Sequence, residues 1–330
     1  WSSDVCSSDL RTVLPSNTDD SLPFLRALQT IFIKSDNKLF LLRSLRILLN
    51  SACPSNPSDR QLFESLPVAS SRNKDKTDLS EEAYARMQNL FDSAEVPILC
   101  LSVINEHSDP ILVDEACNVL CALLNNGNNH VQKSVFKTFE ENIFTQGFFT
   151  YIKDRLESAI DLIRGELSYP LQKRPILEMD SRVIVQRFRG ISNQDMIINI
   201  LLMLKYFCDN CFLNFQNFLR EQRTEKLKFN LHSVNMLDKL SDFLVRLTKE
   251  NPDEMYMSIA KLVRVILNVL TEFVLGPCVP NQKIMIENRK IMTVVNNILE
   301  VKLNENTVRQ KMMSMARILH QTAVFLESLV

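Results

Sequence analysis

Only 5 glycines and 12 prolines interrupt the 330 positions of this chain. A sequence so poor in turn-forming residues is not built from short strands and hairpins, and its abundant Leu, Ile, Met and Asn point to helices. An excess of one charge is also missing. Lys and Arg number 38 against 39 Asp and Glu, a net charge of -1, which excludes the basic footprint expected of a nucleic-acid binder. No apolar run approaches the roughly 18 residues of a membrane-spanning helix. Even 263–275 is broken by Arg264, Asn268 and Glu272. The 8 cysteines form no paired CxxC knuckles, so neither structural zinc nor a disulfide framework is expected, and a reducing, cytosolic setting fits. Cys117 and Cys121, at i and i+4 in an apolar helical run, read as small hydrophobes. His107, His130, His232 and His320 are scattered, and no phosphate loop or nucleophile elbow occurs. The chain is therefore not expected to be an enzyme.

What is present suits a helical array. Hydrophobic residues make up 45%, enough for a continuous core, and the length allows two globular units or one elongated stack. Residues 1–10, Trp1-Ser2-Ser3-Asp4-Val5-Cys6-Ser7-Ser8-Asp9-Leu10, read as the translation of a common sequencing adapter and are set aside from the fold. On that reading the chain begins inside a longer gene. Residues 11–164 read as a helical-repeat segment, with Ser21 and Asp36 as N-caps and a polar, proline-containing loop near 53–78. Helices resume at Asp78 or Ser80. From Asp109 onward, Leu112, Ala116, Val119, Leu120, Leu123 and Leu124 make a wide apolar face, and Gly127 can end that helix in the left-handed conformation. Phe148, Ile152, Leu156, Ala159 and Ile163 form one helical stripe. Residues 165–190, with Pro170, Pro175 and five basic side chains, read as a linker, and 191–330 as a second helical domain. At its end Val308, Met312, Met315, Leu319, Thr322, Leu326 and Leu329 alternate steps of four and three, the pattern of a stripe packed on a neighbour. The expected fold is all-α, an armadillo-like α-solenoid of stacked helix pairs.

Two stretches in the second half are specific. One is Cys208-Asp209-Asn210-Cys211-Phe212-Leu213-Asn214-Phe215-Gln216-Asn217-Phe218-Leu219-Arg220-Glu221-Gln222, and the other is Leu270-Thr271-Glu272-Phe273-Val274-Leu275-Gly276-Pro277-Cys278-Val279-Pro280-Asn281-Gln282. Together they resemble the homology-associated (RIH-associated) domain shared by inositol trisphosphate receptors and ryanodine receptors, with its C-E-N-H-N-x-D-[LF]-Q-N-[FY]-L-R-x-Q and L-T-E-Y-x-x-G-P-C-x-x-N-Q segments. Upstream, Ala122-Leu123-Leu124-Asn125-Asn126-Gly127-Asn128-Asn129-His130-Val131-Gln132 resembles the A-L-L-x-G-G-N-x-x-[IV]-Q of the same families, with Asn126 at the first glycine. The Phe148-Phe149 pair continues the likeness. The segment from Phe148 to Leu156 and the 63-residue separation of Asp209 and Glu272 are closer to the inositol trisphosphate branch. The formal CxxC of Cys208 and Cys211 lacks a βαβ context for a redox pair, and the longer motif accounts for Cys208.

The resemblance implies a cytosolic regulatory part of a tetrameric calcium-release channel, whose parent sits in the endoplasmic reticulum membrane. It implies Asp209 and Glu272 as calcium ligands, with a third ligand from a C-terminal region of the same polypeptide. Its implied partners are the rest of that polypeptide and the subunits of a homotetramer; nucleic acid is not among them. Three positions depart from the pattern. Asp209 stands where the families have Glu, a side chain shorter by about 1.5 Å. Cys211 replaces a histidine, and a thiol is too soft for calcium. Leu275 replaces a glutamine beside the second ligand. Two alternatives stay open: a ryanodine-type fragment, and an α-solenoid scaffold that binds proteins alone.

Overall fold

This computed structural model describes residues 23, 27, 38–52, 74–106, 109–141, 145–168, 193–225, 233–249, 259–300 and 309–329, and from 38 onward these described residues form thirteen α-helices and one 3-10 turn. No strand occurs among these residues, as the glycine-poor composition predicts. The helices are α1 (Lys38–Ala52), α2 (Lys74–Ser93), α3 (Val96–Asn105), α4 (Pro110–Leu124), α5 (Asn129–Glu140), α6 (Thr145–Ser168) and α7 (Asn193–Cys208). After the 3-10 turn Asp209–Cys211 come α8 (Leu213–Arg220), α9 (Met236–Lys249), α10 (Ala260–Val274), α11 (Val279–Glu287), α12 (Arg289–Leu299) and α13 (Arg309–Glu327). The adapter-like residues 1–10, the caps assigned to Ser21 and Asp36, residues 53–73 of the polar loop and 169–190 of the linker lie outside the described residues.

Several helix ends follow from local sequence. Asp109 caps α4 by accepting from Ile111 N, with Pro110 at the first helical position, where a missing N–H costs nothing. Asn128 caps α5 through Oδ1, which accepts from His130 N and Val131 N. The start of α2 falls before the Asp78 or Ser80 expected as its cap. Lys74, Asp75, Lys76 and Thr77 include no glycine or proline, so nothing in the chain stops the helix from beginning there.

Packing links every third helix. One row runs α1, α4, α7, α10, α13, and a second runs α3, α6, α9, α12. Each step of the first row carries a polar tie across its apolar contact. Arg43 and Arg46 pair with Glu115, and Asn199 Nδ2 donates to Asp114 Oδ1 at 2.8 Å. Lys261 pairs with Asp195 at 3.5 Å, and Gln321 Nε2 donates to Thr271 Oγ1 at 3.4 Å. The second row has Lys239 with Glu157 and Lys290 with Asp242. Burial follows position in the rows. In α10 eleven of fifteen residues are buried, the pattern of a helix enclosed on most sides. In α12 only Ile291, Val294, Val295 and Ile298 are buried, a single stripe. One apolar cluster joins α1 to α13, including helices on both sides of 169–192.

The stripe Phe148, Ile152, Leu156, Ala159 and Ile163 is buried as expected. The stripe of α13 is corrected. Met315, Ile318, Thr322, Phe325 and Leu329 are buried, whereas Met312 is exposed and Leu319 and Leu326 are half-buried. Steps of three and four fit two adjacent faces of one helix, and only the one against α10 and α12 is covered.

A ring cluster holds the middle of the chain together. Phe139 of α5 lies with its ring 5.0 Å from Phe148, 5.7 Å from Phe149, 5.9 Å from Phe218 and 6.1 Å from both Phe207 and Phe215. Phe207 and Phe215 stack at 4.6 Å. These rings come from α5, α6, α7 and α8, so the short α8 is anchored to three helices by aromatic contact. No helix among the described residues is long and apolar enough to cross a membrane.

Candidate functional site

Helices α7 and α10 pack against each other, and both end on an acidic side chain. Asp209 follows the last residue of α7, and Glu272 lies in the last turn of α10. Carboxylates oppose the ordinary rule there, because a helix C-terminus carries roughly half a negative charge and favours cations. Two helix ends and two carboxylates bring negative charge to one place, and the chain supplies a cation for it. Lys205, one turn before Asp209, donates from Nζ to Asp209 Oδ1 at 3.1 Å, and the same nitrogen lies 3.7 Å from Glu272 Oε1. The side chains of Lys205, Asp209 and Glu272 are 15, 18 and 14% exposed, so the trio is largely shielded from water. Burial pushes the Glu272 carboxyl above the usual range; Lys205 opposes the shift and Asp209 adds to it. Residues far apart in sequence thus share one ammonium.

Two buried glutamines hold the helix ends that carry the carboxylates. Gln132 of α5 donates from Nε2 to Asp209 O at 2.9 Å and Tyr206 O at 3.1 Å, closing the end of α7. Gln216 of α8 donates from Nε2 to Glu272 O at 2.7 Å and Leu275 O at 2.8 Å, closing the end of α10. Carbonyls at a helix end have no partner within the helix, so each amide does there what a cap does. The Oε1 atoms of both glutamines are buried with no hydrogen-bond partner.

The other amides of the two motifs tie this frame together. Asn210, at φ 58, donates from Nδ2 to Asn126 O and Gly127 O, joining the turn after α4 to the turn after α7. Gly127 sits at φ +62, and a Cβ there would collide with the Asn210 amide, so the glycine is needed for space as well as for conformation. Asn126 adopts φ 62 where the resembling families have glycine, and asparagine is among the few other residues that tolerate it. Asn281 donates from Nδ2 to Gln216 O and Phe273 O, and Arg220 donates to Asn281 Oδ1 at 2.6 Å. Gln282 reaches Ser328 O at 3.2 Å, tying in the end of α13.

The structure therefore brings the expected pair, Asp209 and Glu272, to one nitrogen. Carboxylates are hard donors, and a positive charge already stands between them, so their chemistry fits a hard cation. They are a partial set, since calcium takes about six to eight oxygens. Among the described residues no three His, Cys, Asp or Glu side chains gather as metal ligands. Cys208 is fully buried and Cys211 half-buried, and both are free thiols. A cavity of about 870 Å³ between α6, α9 and α12 is a different place; none of the three site residues lines it.

Sequence reasoning missed Lys205 and both glutamine clamps. Lys205 and Asp209 stand at i and i+4 with opposite charge at a helix end, which is a legible signal. Gln132 and Gln216 belong to the recognised motifs, yet their acceptors lie 56–77 residues away in the chain. No local pattern assigns them.

Residues 191–299 match the family described as RyR and IP3R Homology associated. The matched residues include Lys205, Asp209, Gln216 and Glu272, while Gln132 lies before them. The match supports the ryanodine receptor and inositol trisphosphate receptor family for this part of the chain and does not separate the two branches.

Proposed function

We propose that the chain is a cytosolic regulatory piece of an intracellular calcium-release channel of the inositol trisphosphate receptor type, with Asp209 and Glu272 as calcium ligands. The observation that carries this reading is the meeting of the two carboxylates at the ends of α7 and α10, within the segment that matches the receptor family. When bound, calcium supplies a divalent charge that relieves the repulsion between two carboxylates. Asp209 and Glu272 present their oxygens from two different helix ends, and Gln132 and Gln216 fix those ends by their carbonyls. A third ligand comes, on this reading, from elsewhere in the same polypeptide. The ion then favours one arrangement of the two parts over others, which is what a coupling to gating requires.

The packing of every third helix supports an armadillo-like solenoid, in which displacement at one layer is absorbed or passed on by its neighbours. In this picture 11–164 forms helical repeats, with α6 continuing to Ser168 inside the expected linker 165–190, and 191–330 is the homology-associated unit. The parent protein is a homotetramer of the endoplasmic reticulum membrane with this part on its cytosolic face.

One observation favours a plainer reading. Lys205 pairs with both carboxylates without any ion, as a scaffold that only binds proteins would need. Glu272→Ala in the full-length channel separates the two. Calcium activation of ion flux is expected to shift to higher calcium by about tenfold or more. An unchanged calcium dependence would remove the sensor and leave the scaffold.

A further inference from the structure

We infer that Lys205 is a built-in competitor for the cation site, an internal counter-ion that must leave before a divalent ion can be held by Asp209 and Glu272. This inference rests on the calcium-ligand reading and adds to it the residue that sets the affinity.

The geometry carries the argument. Lys205 Nζ lies 3.1 Å from one carboxylate and 3.7 Å from the other, in the place where their oxygens face a common charge. Calcium needs its oxygens at about 2.3–2.6 Å. An ammonium hydrogen-bonded to the Asp209 oxygen and ion-paired with the Glu272 oxygen stands in the space that such an ion requires. The two cations exclude each other.

Three features make the lysine more than an incidental neighbour. First, it reaches from α7, one turn before Asp209, toward Glu272 of α10, so it pairs with both carboxylates. Second, its side chain is as shielded as theirs, so solvent screens the trio little. Third, Nζ also lies 4.9 Å from the centre of the Tyr206 ring, a cation–π contact that helps hold the ammonium beside the carboxylates. With both carboxylates ionised, the trio carries one net negative charge instead of two. The lysine thus holds the pair together when no ion is bound and weakens it as a chelate.

The purified chain, Lys205→Gln and Lys205→Met are titrated with calcium and with terbium, whose luminescence reports inner-sphere binding. The methionine variant keeps most of the apolar stem should glutamine disturb the packing. Both variants are expected to bind about tenfold tighter or more than the parent chain, within the ordinary range of coupling between adjacent groups. Calcium is expected to raise their melting midpoints more than that of the parent chain. Glu272→Gln added to either variant is expected to abolish the gain. If parent and variants bind with equal affinity and Glu272→Gln removes binding, the competitor role is overturned and the calcium ligands stand. If no variant binds either ion, the competitor role is overturned, while the calcium-ligand reading, with its third ligand elsewhere in the polypeptide, is decided by Glu272→Ala in the full-length channel. A gain that survives Glu272→Gln places the ion elsewhere and overturns the competitor role.

Discussion

Phe139→Ala is expected to destabilise the chain by about 3–5 kcal/mol, the range for emptying a large aromatic from a close-packed core. The Phe139 ring is fully buried and meets five other rings, from α6, α7 and α8. Its loss would leave a cavity that α6 and α7 cannot collapse into freely, since each is also packed along its own row. Urea unfolding followed by far-ultraviolet circular dichroism measures the change. A loss below about 1 kcal/mol, the level of a surface substitution, would mean the rings do not converge on Phe139. The damage is expected to reach Glu272 too, because α8 brings Gln216 to the end of α10.

The second large effect is expected at Gln216 itself. Gln216→Leu keeps the size of the side chain but removes the donor for Glu272 O and Leu275 O. Each carbonyl left without a partner costs about 1–3 kcal/mol, so a loss of about 2–4 kcal/mol is expected. The buried, unpartnered Oε1 of Gln216 disappears as well, which keeps the figure below the sum of two full penalties. Stability alone would not distinguish a site clamp from any other buried amide, so Gln222→Leu is the control. Gln222 lies in the same motif, and its Nε2 donates to Phe218 O and Val234 O, away from the carboxylates. Both variants are expected to lose stability in urea. Only Gln216→Leu is expected to weaken terbium binding below its unfolding range. Equal binding in the two would reduce Gln216 to a general packing residue.

Much of this architecture was legible in the chain. The scarcity of glycine excluded sheets, Asp109-Pro110 marked the start of α4, and the stripe from Phe148 to Ile163 marked the buried face of α6. Asp209 and Glu272 were named from a resemblance, and the structure sets them at a common nitrogen. What escaped the sequence has two physical origins. The stripe of α13 was misplaced because Met312 and Met315 look alike in a helical repeat, and only the neighbours decide which is covered. The glutamine clamps escaped because an amide that closes a distant helix end leaves no periodic trace; its partners are backbone carbonyls, which every residue has. Lys205 was within reach of local logic, although the carboxylates themselves were named from the resemblance. An acid at a helix C-terminus is a broken local rule, and the cation one turn earlier is its compensation.

Whether Asp209 and Glu272 form the one cation site proposed for them is tested most directly by a terbium titration of Asp209→Asn, Glu272→Gln and the double variant, all on the Lys205→Gln background. A shared site predicts that either single change removes most of the binding and that the second adds little, so the losses are strongly non-additive. Losses that add in the double variant would mean two independent carboxylates, and the shared site would be contradicted.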